Sequence, residues 1–376
     1  MSNIKHLLLL SVALIAVAVP GASATAYYVG RCRVGSFSTI PDALAATPAP
    51  DVVYVCPGTY PEQVTITKPV TLEGIPSGGA NQVFITVPSG GLKASCDSEG
   101  VQVCATNTGP VNIINITVDG TGGTNPGGSV LGVYYNNSSG TVNHVETRFQ
   151  SGNPAGGVGI EIFQEQANTV TVENSNIHSF TGWGIQAVDD SSSGYESTLK
   201  IVGNTIAPEP GASGGINSLS GASVTISGNV IHGPVVPATG VCKDKNCVGI
   251  LIGLPSAGSI SKNTIVGSGY AGIELNAGAE ESTMSVTSNT IFDVGGDGIQ
   301  VVCTSSCSPS SSASIEGNII TQTQNGINFF CNVYGTVSSN AISAIHSFGL
   351  ANVPAGLSSS NTYFNVPAIS SSGSCP

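Results

Sequence analysis

The sequence predicts an all-β fold, a single-domain parallel β-helix in which short strands stack coil upon coil. Three observations lead to this expectation. A phrase made of Asn, one residue, Ile, a glycine-rich interval and Gly-Ile recurs along the chain. Examples are "VENSNIHSFTGWGIQA" from Val172, "VTSNTIFDVGGDGIQV" from Val286 and "IEGNIITQTQNGINFF" from Ile315. The residue after the recurring Gly runs Val133, Ile160, Ile185, Ile216, Ile250, Ile273, Ile299, Ile327 and Leu350, in steps of 27, 25, 31, 34, 23, 26, 28 and 23 residues. No run inside a repeat has helical periodicity, whereas β-branched residues alternate or cluster in short runs bounded by turn residues.

The elements follow in chain order. Lys5 precedes an apolar run from Leu7 to Val19 that ends at Ala22-Ser23-Ala24, so residues 1–24 read as a secretory signal peptide and residues 25–376 as the β-helix domain. No further apolar run of about 20 residues follows, which predicts no membrane span and a secreted or surface location. Within the domain, residues 35–75 are expected to form an N-terminal cap and the first coils, 111–353 the repeat coils, and 354–376 a C-terminal tail. Pro41 suits the first turn of a short helix near residues 38–47, whose Ala43, Leu44 and Ala46 would close the open end of the stack. Each repeat then supplies three short strands, giving roughly ten to twelve coils. The unequal steps place insertions in loops, the longest near residues 207–214 and 234–247. Asn174, Asn204, Asn229, Asn263, Asn289, Asn318 and Asn340 fall where the chain turns sharply. Asn tolerates the left-handed region there, and stacked amides can bond from coil to coil. The Gly before each Ile is a backbone requirement.

The segment "GSFSTIPDALAATPAPDVVYVCPGTYPEQVTITKPVTLEGI", residues 35–75, resembles the first coils of pectin methylesterases and related right-handed β-helix proteins of the pectin-lyase-like superfamily. The matching residues are Gly35, Phe37, Thr39, Ile40, Ala43 and Leu44, then Gly58, Tyr60, Glu62, Val64 and Ile66, then Lys68, Leu72 and Gly74. The resemblance implies a right-handed parallel β-helix with a short capping helix. It does not carry an activity. The Gln-Asp, Asp-Phe-Ile-Phe-Gly and Arg-x-Trp motifs of those esterases are absent, as is the Asn-Thr-Asp, Gly-Asp-Asp, Gly-His-Gly and Arg-x-Lys set of polygalacturonases. The single Trp, Trp183, stands in "TGWGI" without an Arg.

Composition narrows the partners. The chain carries 22 acidic against 10 basic residues, a formal charge of −12, and only 9% of its residues are charged. Clustered Lys and Arg are missing, which argues against nucleic acid, and a polyanionic sugar is disfavoured unless a cation intervenes. Ten cysteines in an exported chain read as disulfides. Cys32 with Cys56, Cys96 with Cys104, Cys242 with Cys247, Cys303 with Cys307 and Cys331 with Cys375 form one set. Cys303 with Cys331 in the neighbouring coil is its rival.

If each Gly-Ile strand points its Ile inward, the next residue points outward. That row reads Tyr134, Glu161, Gln186, Asn217, Leu251, Glu274, Gln300, Asn328 and Ala351, an exposed and mostly polar ladder. Glu161, Gln186, Asn217, Glu274, Gln300 and Asn328 are the candidate substrate-binding residues for an extended glycan, with Phe163 and Phe330 for apolar sugar faces; the plainer alternative is a solvated sheet face. Glu161 and Glu274 stand four coils apart, about 19 Å at the usual strand spacing of about 4.8 Å. A two-carboxylate glycosidase needs about 5–9.5 Å. The remaining catalytic candidates are Asp189, Asp190, Asp297 and Arg148, and the three carboxylates, with Asp293 in the turn before Asp297, would also suit calcium if loop carbonyls joined them. His178 and His232 occupy matching positions with Ala207 between, about 10 Å apart, too far to share a zinc ion. No Ser-His-Asp set stands out among so many serines. The expected function is a monomeric secreted protein that binds and processes a neutral or weakly charged polysaccharide, as a lyase, hydrolase or esterase if catalytic. A non-catalytic surface or matrix protein is the rival reading.

Overall fold

Three inward-facing rows of aliphatic residues build the interior of the stack. The computed structural model describes residues 24–371 apart from 79–80, 97–99, 125–127, 153–155, 190–196, 220–222, 235–246, 254–256, 278–282, 304–310, 331–333 and 355. In the first strand of successive coils Val142, Val172, Ile201, Ile226, Ile260, Val286, Ile315 and Val337 lie in direct parallel register. In the second strand Ile177, Ile206, Ile231, Ile265, Ile291, Ile320 and Ile342 do the same. In the third, Val133 pairs with Ile160 and the row continues through Ile185, Ile216, Ile250, Ile273, Ile299 and Ile327 to Leu350. All three rows are buried in one continuous core. Identical side chains stacked at about 4.8 Å bury each other, so no coil could form its core alone.

Among the described residues the first sheet has 13 strands, more rungs than the ten to twelve coils expected. The additional rungs lie at the ends, where Ala26–Val29 pairs with Val52–Val55 and Ser358–Ser359 pairs with Tyr334–Ser338. Thr362–Phe364 and Ala368–Ser371 also pair onto the stack, so residues 358–371 form another coil where a tail was expected. At the opposite end the cap is the helix Ile40–Leu44, with Pro41 in its first turn and Thr39 Oγ1 accepting the Asp42 N–H at 3.2 Å. Ile40 and Ala43 are buried against the core, and Glu62 accepts the Ile40 N–H at 2.9 Å. The disulfides Cys32–Cys56 and Cys96–Cys104 form as the spacing predicted. Cys247 and Cys303 are also disulfide-bonded. The cysteines left to partner them, Cys242, Cys307, Cys331 and Cys375, lie outside the described residues, as does most of the loop expected at 234–247.

The Asn stack is real but shifted at its start. Asn204 Nδ2 donates to Asn229 Oδ1 at 3.0 Å, and the same bond links Asn229 to Asn263, Asn263 to Asn289, Asn289 to Asn318, Asn318 to Asn340 and Asn340 to Asn361. Each Oδ1 also accepts the backbone N–H of the Asn in the coil before, as Asn263 does from Asn229 at 3.0 Å. Asn174 is not a member. Ser175 holds the equivalent place, two residues before Ile177, and its N–H bonds Asn204 Oδ1. The left-handed backbone falls on the residue before each ladder position, Asn174, Gly203, Gly228, Lys262, Ser288, Gly317 and Ser339, and not on the ladder Asn itself. The ladder Asn is there because a buried turn needs its backbone N–H satisfied, which its amide does while pairing with its neighbours.

The Gly before each inward Ile has a steric cause. A Cβ on Gly272 would stand 2.6 Å from the Gly298 carbonyl oxygen of the next coil and 2.6 Å from Ile291 Cγ2, and Gly184, Gly215 and Gly249 meet the same two obstacles. Gly272→Ala is therefore expected to lower the midpoint of thermal unfolding clearly, by about 1–3 kcal/mol of overpacking. Asn263→Ala should cost about 2–4 kcal/mol, because several buried donors and acceptors lose their partners. Circular-dichroism melts of both variants against a surface control such as Ser285→Ala check these values.

Candidate functional site

The outward row of the third strands lies in the expected register. Tyr134 pairs with Glu161, Glu161 with Gln186, Gln186 with Asn217, Asn217 with Leu251, Leu251 with Glu274, Glu274 with Gln300, Gln300 with Asn328 and Asn328 with Ala351. Its exposure differs from the expectation. Glu161, Gln186 and Glu274 are half-buried, whereas Asn217, Gln300 and Asn328 are buried at 3%, 2% and 5% exposure. The row is crowded on both sides. A second outward row, three residues earlier, runs Leu131, Val158, Trp183, Gly214, Val248, Ala271, Asp297 and Asn325. Side chains of the two rows cover each other across the intervening glycine, and the Trp183 ring lies over Gly214 of the next coil.

The face divides along its length. Val101, Cys104, Leu131, Tyr134, Val158, Trp183, Val248, Leu251 and Ala271 form a second apolar cluster outside the main core, with Phe163 against it. Beyond Ala271 the same two rows become polar. Asp297 accepts from Asn325 Nδ2 at 2.7 Å on one oxygen and from Asn328 Nδ2 at 2.8 Å on the other. Asn328 in turn accepts from Asn352 at 3.1 Å, and Gln300 Nε2 donates to the Tyr270 hydroxyl at 3.4 Å. Glu274 stands one coil before Gln300, and Tyr270, 45% exposed, offers an aromatic face beside them.

Burial pushes the carboxyls of both Glu274 and Asp297 above their ordinary range. The Asp297 charge adds to the rise at Glu274, while Asn276 opposes it; Asn325 and Asn328 oppose it at Asp297. Two carboxyls with shared electrostatics but different hydrogen bonding are suited to different proton-transfer roles. The amide donor on each Asp297 oxygen opposes the effect of burial without cancelling it, so both carboxyls hold a proton more readily than in water.

The other catalytic candidates lie elsewhere. Asp189 is buried at the end of its strand, where it accepts the Ser197 N–H at 3.0 Å and the Ser197 hydroxyl at 2.8 Å, so it is engaged with Ser197 and not with the polar half of the third-strand face. Asp190 lies outside the described residues. Arg148 sits on the second-strand face, bonded to Asp119 at 2.9 Å and Glu146 at 3.3 Å. His178 Nε2 meets the same Glu146 at 2.9 Å. His178 therefore belongs to a hydrogen-bonded network with the preceding coil, and Ala207 opposes it on the other side. Sequence reasoning took Arg148 alone. Asp119 is brought to it by stacking, with the repeat spacing of 29 residues as its signal, whereas Glu146 stands two residues away on the same strand, where period-two alternation sends both side chains to one face.

Residues 193–365 match the family model described as right handed beta helix region. No curated protein matches the chain in sequence. Among solved structures, the A-module of mannuronan C-5 epimerase AlgE4 from Azotobacter vinelandii superposes with a TM-score of 0.54 at 16% identity, over 88% of this chain and 91% of that one. PfbA, a surface adhesin of Streptococcus pneumoniae, superposes with a TM-score of 0.54 at 13% identity, over 88% of this chain and 87% of that one. The likeness is one of fold: the chain is a right-handed parallel β-helix.

Glu146 differs from Glu274 and Asp297. Hydrogen bonds from His178 and Thr117, with the charges of Arg148 and His178, overcome its partial burial and pull its pKa down to about 2 from 4.5. A depressed carboxyl adds stability that is present above its unfolded pKa and is lost as pH falls through its folded one. Melting temperature should therefore fall as pH drops from 4.5 towards about 2, and Glu146→Gln should flatten that limb. Calorimetric melts across that range test it.

Proposed function

We propose that the protein binds an extracellular polysaccharide along the polar half of the third-strand face, and that Glu274 and Asp297 process it there by proton transfer. The observation that carries this reading is the juxtaposition of these two carboxyls on successive coils, both raised by burial, beside an exposed Tyr270 and the amides of Gln300 and Asn328. Amides and carboxylates hydrogen-bond sugar hydroxyls, and an aromatic ring covers the apolar face of a sugar. Gln186 and Glu161 would extend the track towards the apolar half. The fold neighbours support a carbohydrate partner: one is named a mannuronan epimerase and the other a surface adhesin. The two described disulfides suit an oxidising, extracytoplasmic compartment.

A neutral glycan suits the face better than a polyuronate. The groups on it that can carry charge near neutral pH are the carboxyls of Glu161, Glu274 and Asp297, and Arg148, the only Arg after residue 33, is tied to Asp119 and Glu146 on another face. A second reading, a non-catalytic adhesion or matrix protein, is favoured by the apolar half of the face, where Tyr134, Trp183 and Leu251 are closed over. A panel of neutral and acidic glycans, assayed for binding, for new reducing ends and for new double bonds, separates the two. Binding with products supports the first reading; binding without products supports the second. Tyr270→Ala and Glu274→Gln should each weaken binding about tenfold, equivalent to about 1.4 kcal/mol, with little change in melting temperature. Ile273→Ala, in the buried row, should cost roughly 2–5 kcal/mol of stability. Unchanged affinity in both surface variants would remove the site from this face.

A further inference from the structure

A relay of three side chains runs across the second-strand face, outside the rows assigned to the glycan. His178 ends the strand Asn176–His178, and Ser179 is the turn residue that follows. Its backbone is left-handed, with φ 55°, as it is at Phe149, Asp293, Gln322 and Ala344 in the same turn of other coils. The turn brings Ser179 Oγ to 3.1 Å from His178 Nδ1, while His178 Nε2 lies 2.9 Å from Glu146 Oε1 of the preceding coil. Glu146 also accepts from Thr117 Oγ1 at 3.0 Å and pairs with Arg148 at 3.3 Å, which keeps it ionised. An ionised carboxylate can only accept, so the proton of a neutral imidazole belongs on Nε2 and the lone pair on Nδ1. In that tautomer the Ser179 hydroxyl is the donor to Nδ1. This is the nucleophile, base and orienting acid of a serine hydrolase, with the two ring nitrogens exchanged relative to the usual arrangement.

We propose that Ser179 is a nucleophile, with His178 as its general base and Glu146 as the positioning residue, in a second hydrolytic site for acyl esters such as O-acyl substituents of a saccharide. Ser179 Oγ attacks the ester carbonyl while its proton passes to Nδ1. The tetrahedral adduct expels the alcohol oxygen, which takes that proton back, leaving an acyl-serine. Water, deprotonated by Nδ1, then releases the carboxylic acid and restores the hydroxyl, so the net reaction is ester plus water to acid plus alcohol. Phe149, 44% exposed and edge-on to the imidazole at 6.2 Å between ring centres, gives the acyl group an apolar wall. Arg148 pairs in register with His178 and, bonded to Glu146, helps to fix the carboxylate that orients the imidazole. None of these residues belongs to the third-strand face, so this activity stands or falls independently of the glycan reading.

The test uses the folded mature chain with a fluorophosphonate probe and p-nitrophenyl acetate, followed by peptide mapping of the adduct. A single adduct on Ser179 is expected. Ser179→Gly suits the left-handed backbone, so it should keep the wild-type melting temperature while losing the adduct and about 100-fold or more of the acetate-release rate. Glu146→Gln should lower that rate about tenfold or more and shift its pH profile, which a merely structural role would leave in place. No adduct on the wild-type chain, an adduct on a different serine, or a folded Ser179→Gly chain with an unchanged rate would overturn the proposal.

Discussion

Coil-to-coil register is the constraint on which the rest of this structure depends. Every described strand pairs in parallel with its counterpart one coil away, so the same side-chain position is repeated along the axis at the strand spacing. Two devices hold that register. The stacked amides from Asn204 to Asn361 satisfy the buried backbone of each turn through the next coil, and a shift of one residue would break them all. The glycines before the inward Ile let the next coil approach, because a Cβ there would strike both the backbone and the second-strand Ile of that coil. Hydrophobic burial supplies most of the driving force, but it would tolerate other registers; the amides and glycines would not.

Register also explains the character of the candidate site. A residue that alternation sends outward is flanked by its copies in the coils before and after, and by a second outward row across the glycine. Outward therefore does not mean exposed, and Gln300 and Asn328 are buried although they belong to an outer row. The crowding that hides them also desolvates Glu274 and Asp297, which is what raises their carboxyls. Where the neighbours are Leu131, Tyr134, Val158 and Trp183 the same crowding closes the face into an apolar cluster.

The few charges of the chain thus fall into two contrasting settings. On the third-strand face carboxyls meet amides and each other, and hold protons more readily than usual. On the second-strand face Asp119, Glu146, Arg148 and His178 lie within bonding distance across successive coils, and Glu146 is held strongly ionised. A solenoid can create both because each face is a separate column, with its own neighbours and its own dielectric surroundings.

The solenoid fold, the inward rows, the capping helix near Pro41, the identity of the outward row and the pairs Cys32–Cys56 and Cys96–Cys104 were all legible in the sequence. They depend on periodicity or on residues close along the chain, and a repeat of the phrase fixes which positions recur. What the sequence alone did not show depends on distances across coils of unequal length. The ladder Asn could be read, but not that Asn174 sits one place early with Ser175 in the ladder position, because only pairing aligns the copies. Asp297 was legible as an acid, but not as one clamped by Asn325 and Asn328. Arg148 and His178 stood out singly, whereas the contact of His178 with Glu146, and that of Arg148 with Asp119, come only through stacking. Side-chain chemistry repeats along the chain, but which groups touch is decided by how each loop length is absorbed before the next strand returns to its register.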